Sequence, residues 1–135
     1  MIDIEAFTFS SFVSPAGAKI VGVSPSSMTK ADLIKDLGAG LGVPDYFGAN
    51  WDALDESLRD LGWVTEHWVV IKHTTLPRVP VDVLRMYLDV LARAVKSWRN
   101  SQEHEVVVTF PPAVREEVTL AVQGPVPGID RDKPS

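Results

Sequence analysis

The chain contains no cysteine, and this absence removes several chemistries at once. Disulfides, thiolate catalysis and thiolate-bound zinc are excluded. A chain of this size without cross-links fits a reducing compartment. No apolar run is long enough to span a membrane, and no basic residue precedes the apolar residues of the N-terminus, so we expect neither a membrane segment nor a secretory signal. Together these absences predict a soluble, cytoplasmic protein.

Basic residues are fewer than acidic residues, with 13 Lys and Arg against 18 Asp and Glu. Affinity for nucleic acid comes mainly from neutralising phosphates, so we expect no direct binding of nucleic acid. The net charge is −5, and residues 45–63 alone hold five acidic residues and one arginine. This concentration predicts a surface that meets a basic protein partner.

Signals for metal, cofactor and catalytic sites are weak. The three histidines are scattered, and His67 and His73 lack an evident third ligand nearby. The glycines between Gly38 and Gly42 do not follow a strand, so they do not form a dinucleotide-binding loop. Asp52 and Glu56 have the chemistry of a hydrolase acid–base pair, but no pocket is predicted around them. We therefore expect no metal, no cofactor and no enzymatic activity.

Hydrophobic periodicity divides the chain into short strands and helices. Strands are predicted at Lys19–Val23, His67–Ile71 and Glu105–Phe110, and residues 1–13 are weakly strand-like through the loose alternation of Ile2, Ile4, Phe7 and Phe9. Helices are predicted from the N-cap Thr29 to the glycines at 38, 40 and 42, from the N-cap Asn50 to about Leu61, and over Val81–Arg99. The order β-α-α-β-α-β predicts an α/β fold in which helices pack on a three-stranded parallel sheet.

The two ends of the chain are read as extensions of this domain. We divide the chain into an N-terminal extension at 1–17, a domain at 18–110, and a C-terminal extension with a disordered tail at 111–135. Within the last, Val114–Gln123 fits either a short helix or an added strand. The extensions are expected to pair with each other or with an edge of the sheet.

The second helix has two contrasting sides when it is placed on a helical wheel. Its apolar stripe, which must face the core, consists of Trp51, Leu54, Leu58 and Leu61. The opposite side carries Asp52, Glu56, Arg59 and Asp60, and Asp55 lies on the shoulder beside Trp51. A solvated face, with Arg59 paired to Asp55 or Glu56, is the simpler interpretation. The aromatic residues Tyr46, Phe47 and Trp63 at its two ends favour a protein interface instead.

These residues also carry a family resemblance. The string VPDYFGANWDAL at residues 43–54 closely resembles the signature loop and helix of the barstar family, inhibitors of the ribonuclease barnase. The sequel Ser57–Trp63 is similar to the version in inhibitors of related secreted bacterial ribonucleases. The similarity extends over residues 18–110. It implies a barstar-like fold and an intracellular inhibitor, or immunity protein, that covers a basic ribonuclease site with an acidic loop and helix.

The resemblance also implies roles for individual residues. Glu56 takes the place of the family's key aspartate, and Arg93 aligns with a position where the family has an acidic residue. The implied partner-binding residues are Tyr46, Gly48, Asn50, Trp51, Asp52, Asp55, Glu56 and Trp63. The implied partner is a basic secreted or toxin-type ribonuclease, and the free inhibitor is expected to be a monomer. The alternative is an interaction or toxin-immunity module of the same fold whose partner is not a ribonuclease.

Overall fold

The computed structural model describes residues 2–26, 29–43 and 50–124. Four parallel strands form one sheet in the order β1-β4-β3-β2. Their bounds are β1 Phe7–Thr8, β2 Lys19–Val23, β3 Trp68–His73 and β4 Glu105–Thr109. The predicted α/β fold with a parallel sheet is confirmed.

The sheet has four strands, and the predicted number of three was too low. The added strand β1 comes from the N-terminal extension and pairs with β4, with Phe7 opposite Val108 and Thr8 opposite Thr109. The backbone N–H of Phe110 continues the pairing by donating to the Thr8 carbonyl at 2.9 Å. The loose alternation over residues 1–13 indicated this strand only weakly, because a strand of two residues is too short to give a clear pattern. The N-terminal extension thus pairs with an edge of the sheet, which is one of the two arrangements expected for it.

The helices are α1 Lys30–Leu41, α2 Trp51–Asp60, α3 Val81–Ser97 and α4 Arg115–Gln123. The steps from β2 to β3 and from β3 to β4 move in the same direction across the sheet. Right-handed crossovers therefore put α1, α2 and α3 on one face. That face and the helices share one apolar core. The sequence of Val114–Gln123 fitted either a short helix or an added strand. The structure has a helix there, α4, which packs against α3.

Helix α1 continues through two of the glycines that were expected to end it. Only Gly42 stops the helix, in a left-handed conformation with φ of +70°. Gly40 serves packing instead, since a Cβ there would lie 2.5 Å from Cγ1 of Val21 on β2. The missing side chain lets α1 lie close against the sheet.

Within the described ranges, no helix combines the length and apolar character needed to cross a membrane.

Candidate functional site

Helix α2 begins where the sequence predicts, at Asn50. The Asn50 side chain accepts a hydrogen bond from the backbone N–H of Ala53 at 2.7 Å, which caps the first turn. The helix ends at Leu61, which adopts a left-handed conformation with φ of 49°. Both ends of the acidic helix are therefore fixed by local hydrogen bonds.

The inner stripe of α2 is buried as the helical wheel predicts. Trp51 is only 2% exposed, and its ring lies 6.5 Å from the ring of Tyr87 on α3. Leu54, Leu58 and Leu61 are also buried. This apolar stripe, together with the cap, holds α2 as a rigid platform against α3.

A second tryptophan secures the last turn of α2. The indole N–H of Trp98 donates to the backbone carbonyl of Leu58 at 2.7 Å. The last carbonyls of a helix lack partners within it, so a buried donor at this point stabilises the end. Trp63 does the same for α1, since its indole N–H donates to the Leu41 carbonyl at 2.8 Å. Trp63 is partly buried, and it joins the ends of the two helices.

The outward side of α2 presents carboxylates. Asp52, Glu56 and Asp60 are all exposed, and their spacing of four residues puts them in one row along the helix. Glu56 makes no hydrogen bond or ion pair with any residue in the described part of the chain. Its carboxylate is therefore available to a partner on a helix whose backbone is already fixed.

Asp55 has a different environment from its neighbours. It is 5% exposed, and its Oδ2 lies 2.8 Å from Nη2 of Arg59 and 3.8 Å from Nη2 of Arg93 on α3. Its Oδ1 is buried and receives no hydrogen bond from the described residues. Of the two pairings weighed for Arg59, the one with Asp55 is present. Asp55 thus lies beneath two arginines, while Asp52 and Glu56 face outward.

Tyr46, Phe47 and Gly48 lie outside the described residues, so their predicted part in the site stays a prediction. The structure brings together the other predicted site residues, all of which belong to α2 or to its two flanks.

Sequence reasoning missed that Arg93 reaches the buried carboxylate of Asp55. The spacing of Asp55 and Arg59 by four residues is a local signal for an ion pair. Arg93 comes from another helix, 38 positions further along the chain. Only the packing of α2 on α3 places it there, so no pattern within either segment could indicate the contact.

A separate buried polar group lies under the site. Nδ1 of His73 donates to the Thr109 carbonyl at 2.9 Å, so Nε2 accepts from the Tyr87 hydroxyl at 2.5 Å. Burial lowers the pKa of His73 to about 4, and burial raises that of Tyr87 well above its ordinary range. His73 is therefore neutral near pH 7, and it joins the ends of β3 and β4 to α3.

A cavity of about 430 Å³ lies at the ends of β3 and β4. Its lining includes Lys72, His73, Thr109 and three serines of the segment after β1, and none of its lining residues belongs to α2. Among the residues that the structure describes, no three histidine, aspartate or glutamate side chains come together as metal ligands would.

Comparison with protein families matches residues 24–110 to the family described as Barstar (barnase inhibitor). The match includes α1, α2, α3, β3 and β4, so the whole acidic helix lies inside it, whereas β1, β2 and α4 lie outside. A comparison with curated proteins finds no match. The matched segment covers 87 of the 135 residues. The chain therefore belongs to the Barstar (barnase inhibitor) family.

Proposed function

We propose that this protein inhibits a basic, secreted or toxin-type ribonuclease by covering its active site with α2 and the loop before it. The inhibitor would act as a monomer in the cytoplasm and protect the cell from the enzyme. It would take part in no catalysis itself. Besides the family match, one observation carries the proposal: Asp52 and Glu56 are exposed on a helix whose other side is fully buried.

The chemistry of the partner explains why this arrangement suits inhibition. A ribonuclease needs a basic cleft to hold the phosphates of RNA, and carboxylates on a rigid helix can replace those phosphates. Little backbone freedom of α2 is lost on binding, because the cap at Asn50 and the buried Trp51 already fix the helix. Opposite charges on the two proteins also speed their association at low ionic strength.

The eight predicted site residues then fall into three groups. Asp52 and Glu56 contact cations of the enzyme, and Tyr46, Gly48 and Trp63 surround that contact. Asn50, Trp51 and Asp55 support it from the start and the underside of α2.

The first experiment is an inhibition assay with the purified protein against barnase and a panel of other guanyl-specific bacterial ribonucleases. Asp52→Ala and Glu56→Ala should each weaken binding to an inhibited enzyme at least tenfold, which is about 1.4 kcal/mol. Glu56→Ala should leave the free energy of unfolding within about 0.5 kcal/mol, because its side chain is on the surface. Asp52→Ala should lower it by about 1 kcal/mol or less, because Asp52 lies in the first turn of α2. Binding is measured by titration calorimetry and stability by urea unfolding.

Glu116→Ala provides the matched control, since Glu116 is an exposed acidic residue on α4, away from the site. Glu116→Ala removes one negative charge, as Asp52→Ala and Glu56→Ala do, but it should leave binding almost unchanged. Failure of the wild-type protein to bind any ribonuclease would reject the proposal in favour of an interaction or immunity module with another basic partner. Equal weakening by all three variants would show that net charge matters and that the α2 face does not.

A further inference from the structure

Two guanidinium groups share the acidic face of α2. Arg59 on α2 and Arg93 on α3 converge on Oδ2 of Asp55, and their side chains remain 47% and 44% exposed. Arg93 also lies 3.9 Å from Asp89 one turn earlier on α3. We call Arg59, Arg93 and the buried Asp55 the arginine cluster.

The arginine cluster has donors left over after its internal contacts. A guanidinium carries five N–H donors. Within the described residues, Arg59 donates one side-chain hydrogen bond, to Asp55, and the contacts of Arg93 at 3.8 and 3.9 Å are ion pairs beyond hydrogen-bond distance. Both side chains are about half exposed, so donors that are not used internally can reach a group outside the molecule.

A partner that covers Glu56 must also cover Arg59. The two residues are three positions apart on one helix, so their Cβ atoms are about 5–6 Å apart. A specific protein interface buries about 800 Å² on each side, which is a much wider area. The cations of a ribonuclease cleft cannot face Arg59 favourably, because two like charges would then lose water against each other.

We propose that the partner carries an acidic side chain beside its basic cleft, and that Arg59 and Arg93 bind this carboxylate. The planar fork of a guanidinium matches the two oxygens of a carboxylate, which favours such a contact over a lysine-type point charge. Asp55 is the positioning residue, since its buried carboxylate holds the guanidinium groups of Arg59 and Arg93 at the surface. This inference rests on the proposed inhibition of a ribonuclease and specifies the charge pattern of the enzyme that fits.

The test uses the ribonuclease from the inhibition panel that the wild-type protein binds most tightly. Arg59→Glu and Arg93→Glu should each weaken binding at least tenfold, and Arg59→Gln and Arg93→Gln should weaken it less. Arg99→Glu is the control, because Arg99 is exposed and lies beyond the end of α3. This substitution changes the net charge by the same amount as the other two arginine-to-glutamate substitutions. The control should leave binding unchanged or tighten it, since added negative charge attracts a basic enzyme.

A charge exchange completes the experiment. Each exposed carboxylate at the rim of the ribonuclease cleft is changed to lysine in turn, and one of these variants should bind Arg93→Glu more tightly than the unchanged enzyme does. Tighter binding by both arginine-to-glutamate variants, or no rescue by any lysine variant, overturns the inference while inhibition itself stands. No binding by the wild-type protein to any ribonuclease overturns the proposed function and this inference with it. Circular dichroism melting of each variant confirms that the compared proteins are folded.

Discussion

Asp55 and Glu56 are adjacent carboxylates with opposite environments. Glu56 faces solvent from a fixed helix, whereas Asp55 is buried beneath Arg59 and Arg93. An exposed carboxylate contributes little to folding and is available for binding. A buried one affects folding strongly, because its cost depends on whether cations remain beside it. The acidic face therefore separates into a binding part and a supporting part at the level of single residues.

The first stability prediction concerns the removal of both cations from Asp55. The double variant Arg59→Ala/Arg93→Ala leaves a buried carboxylate without a compensating charge, and it should lower the free energy of unfolding by about 3 kcal/mol. Adding Asp55→Leu should recover most of that loss, because an apolar side chain needs no partner at a buried position. Urea unfolding of the wild type and both variants measures the difference. A double variant as stable as the wild type would show that Asp55 does not depend on the two arginines.

At the scale of whole elements, the close contact between α1 and β2 depends on the absence of one side chain. Gly40→Ala would place a Cβ 2.5 Å from Val21. Alanine is favoured over glycine in a helix by about 1 kcal/mol, but overpacking a core costs about 1–3 kcal/mol. We therefore expect a net loss of about 1 kcal/mol in the free energy of unfolding, measured by urea unfolding.

Two further variants separate the causes of that loss. Gly22→Ala on β2 introduces a Cβ that meets nothing within 4 Å, so it should be neutral or slightly stabilising. The double variant Gly40→Ala/Val21→Ala should be more stable than Val21→Ala alone, because the 2.5 Å contact with Cγ1 is removed and the nearest remaining contact is with the Cβ of residue 21 at 3.3 Å. A Gly40→Ala protein that is more stable than the wild type would mean that α1 can shift without cost.

The elements also show where sequence patterns are informative. The N-caps Thr29 and Asn50 were identified from the sequence because capping is a local event, and both side chains accept the expected hydrogen bonds. Gly40 was misread as part of a helix stop, since its role depends on Val21 in another element. The same limit applies to Arg93. Features decided by contacts between distant segments leave no periodic pattern in the sequence.

At the scale of the whole molecule, His73 connects the sheet to α3 and makes stability depend on pH. It is buried between the Thr109 carbonyl and the Tyr87 hydroxyl, and burial lowers its pKa from the ordinary 6.5 to about 4. Between these values the unfolded chain binds a proton at His73 and the folded protein does not. The contribution of His73 to stability is thus complete above pH 6.5 and is lost as the pH falls towards 4.

The size of this effect can be tested. The lowering of the His73 pKa from 6.5 to about 4 corresponds to about 3 kcal/mol in the free energy of unfolding. About 2 kcal/mol of this stability should be lost when the pH falls to 5. The free energy of unfolding, measured in urea at pH 7.5, 6 and 5, should therefore fall more steeply for the wild type than for His73→Gln. The variant should be less stable at pH 7.5, because glutamine does not reproduce the geometry of both hydrogen bonds, but its stability should change less below that pH.

His67→Gln is the matched control, since the His67 side chain is 43% exposed. It should keep the steep dependence of the wild type, because His73 and its two hydrogen bonds are unchanged in this variant. Carboxylates also titrate near pH 4, but they are present in all three proteins, so the comparison cancels them. A His73→Gln protein with the same slope as the wild type would show that another group controls stability in this range. A reduced slope would show that the buried contact between the sheet and α3, which supports the acidic helix, weakens when His73 becomes protonated.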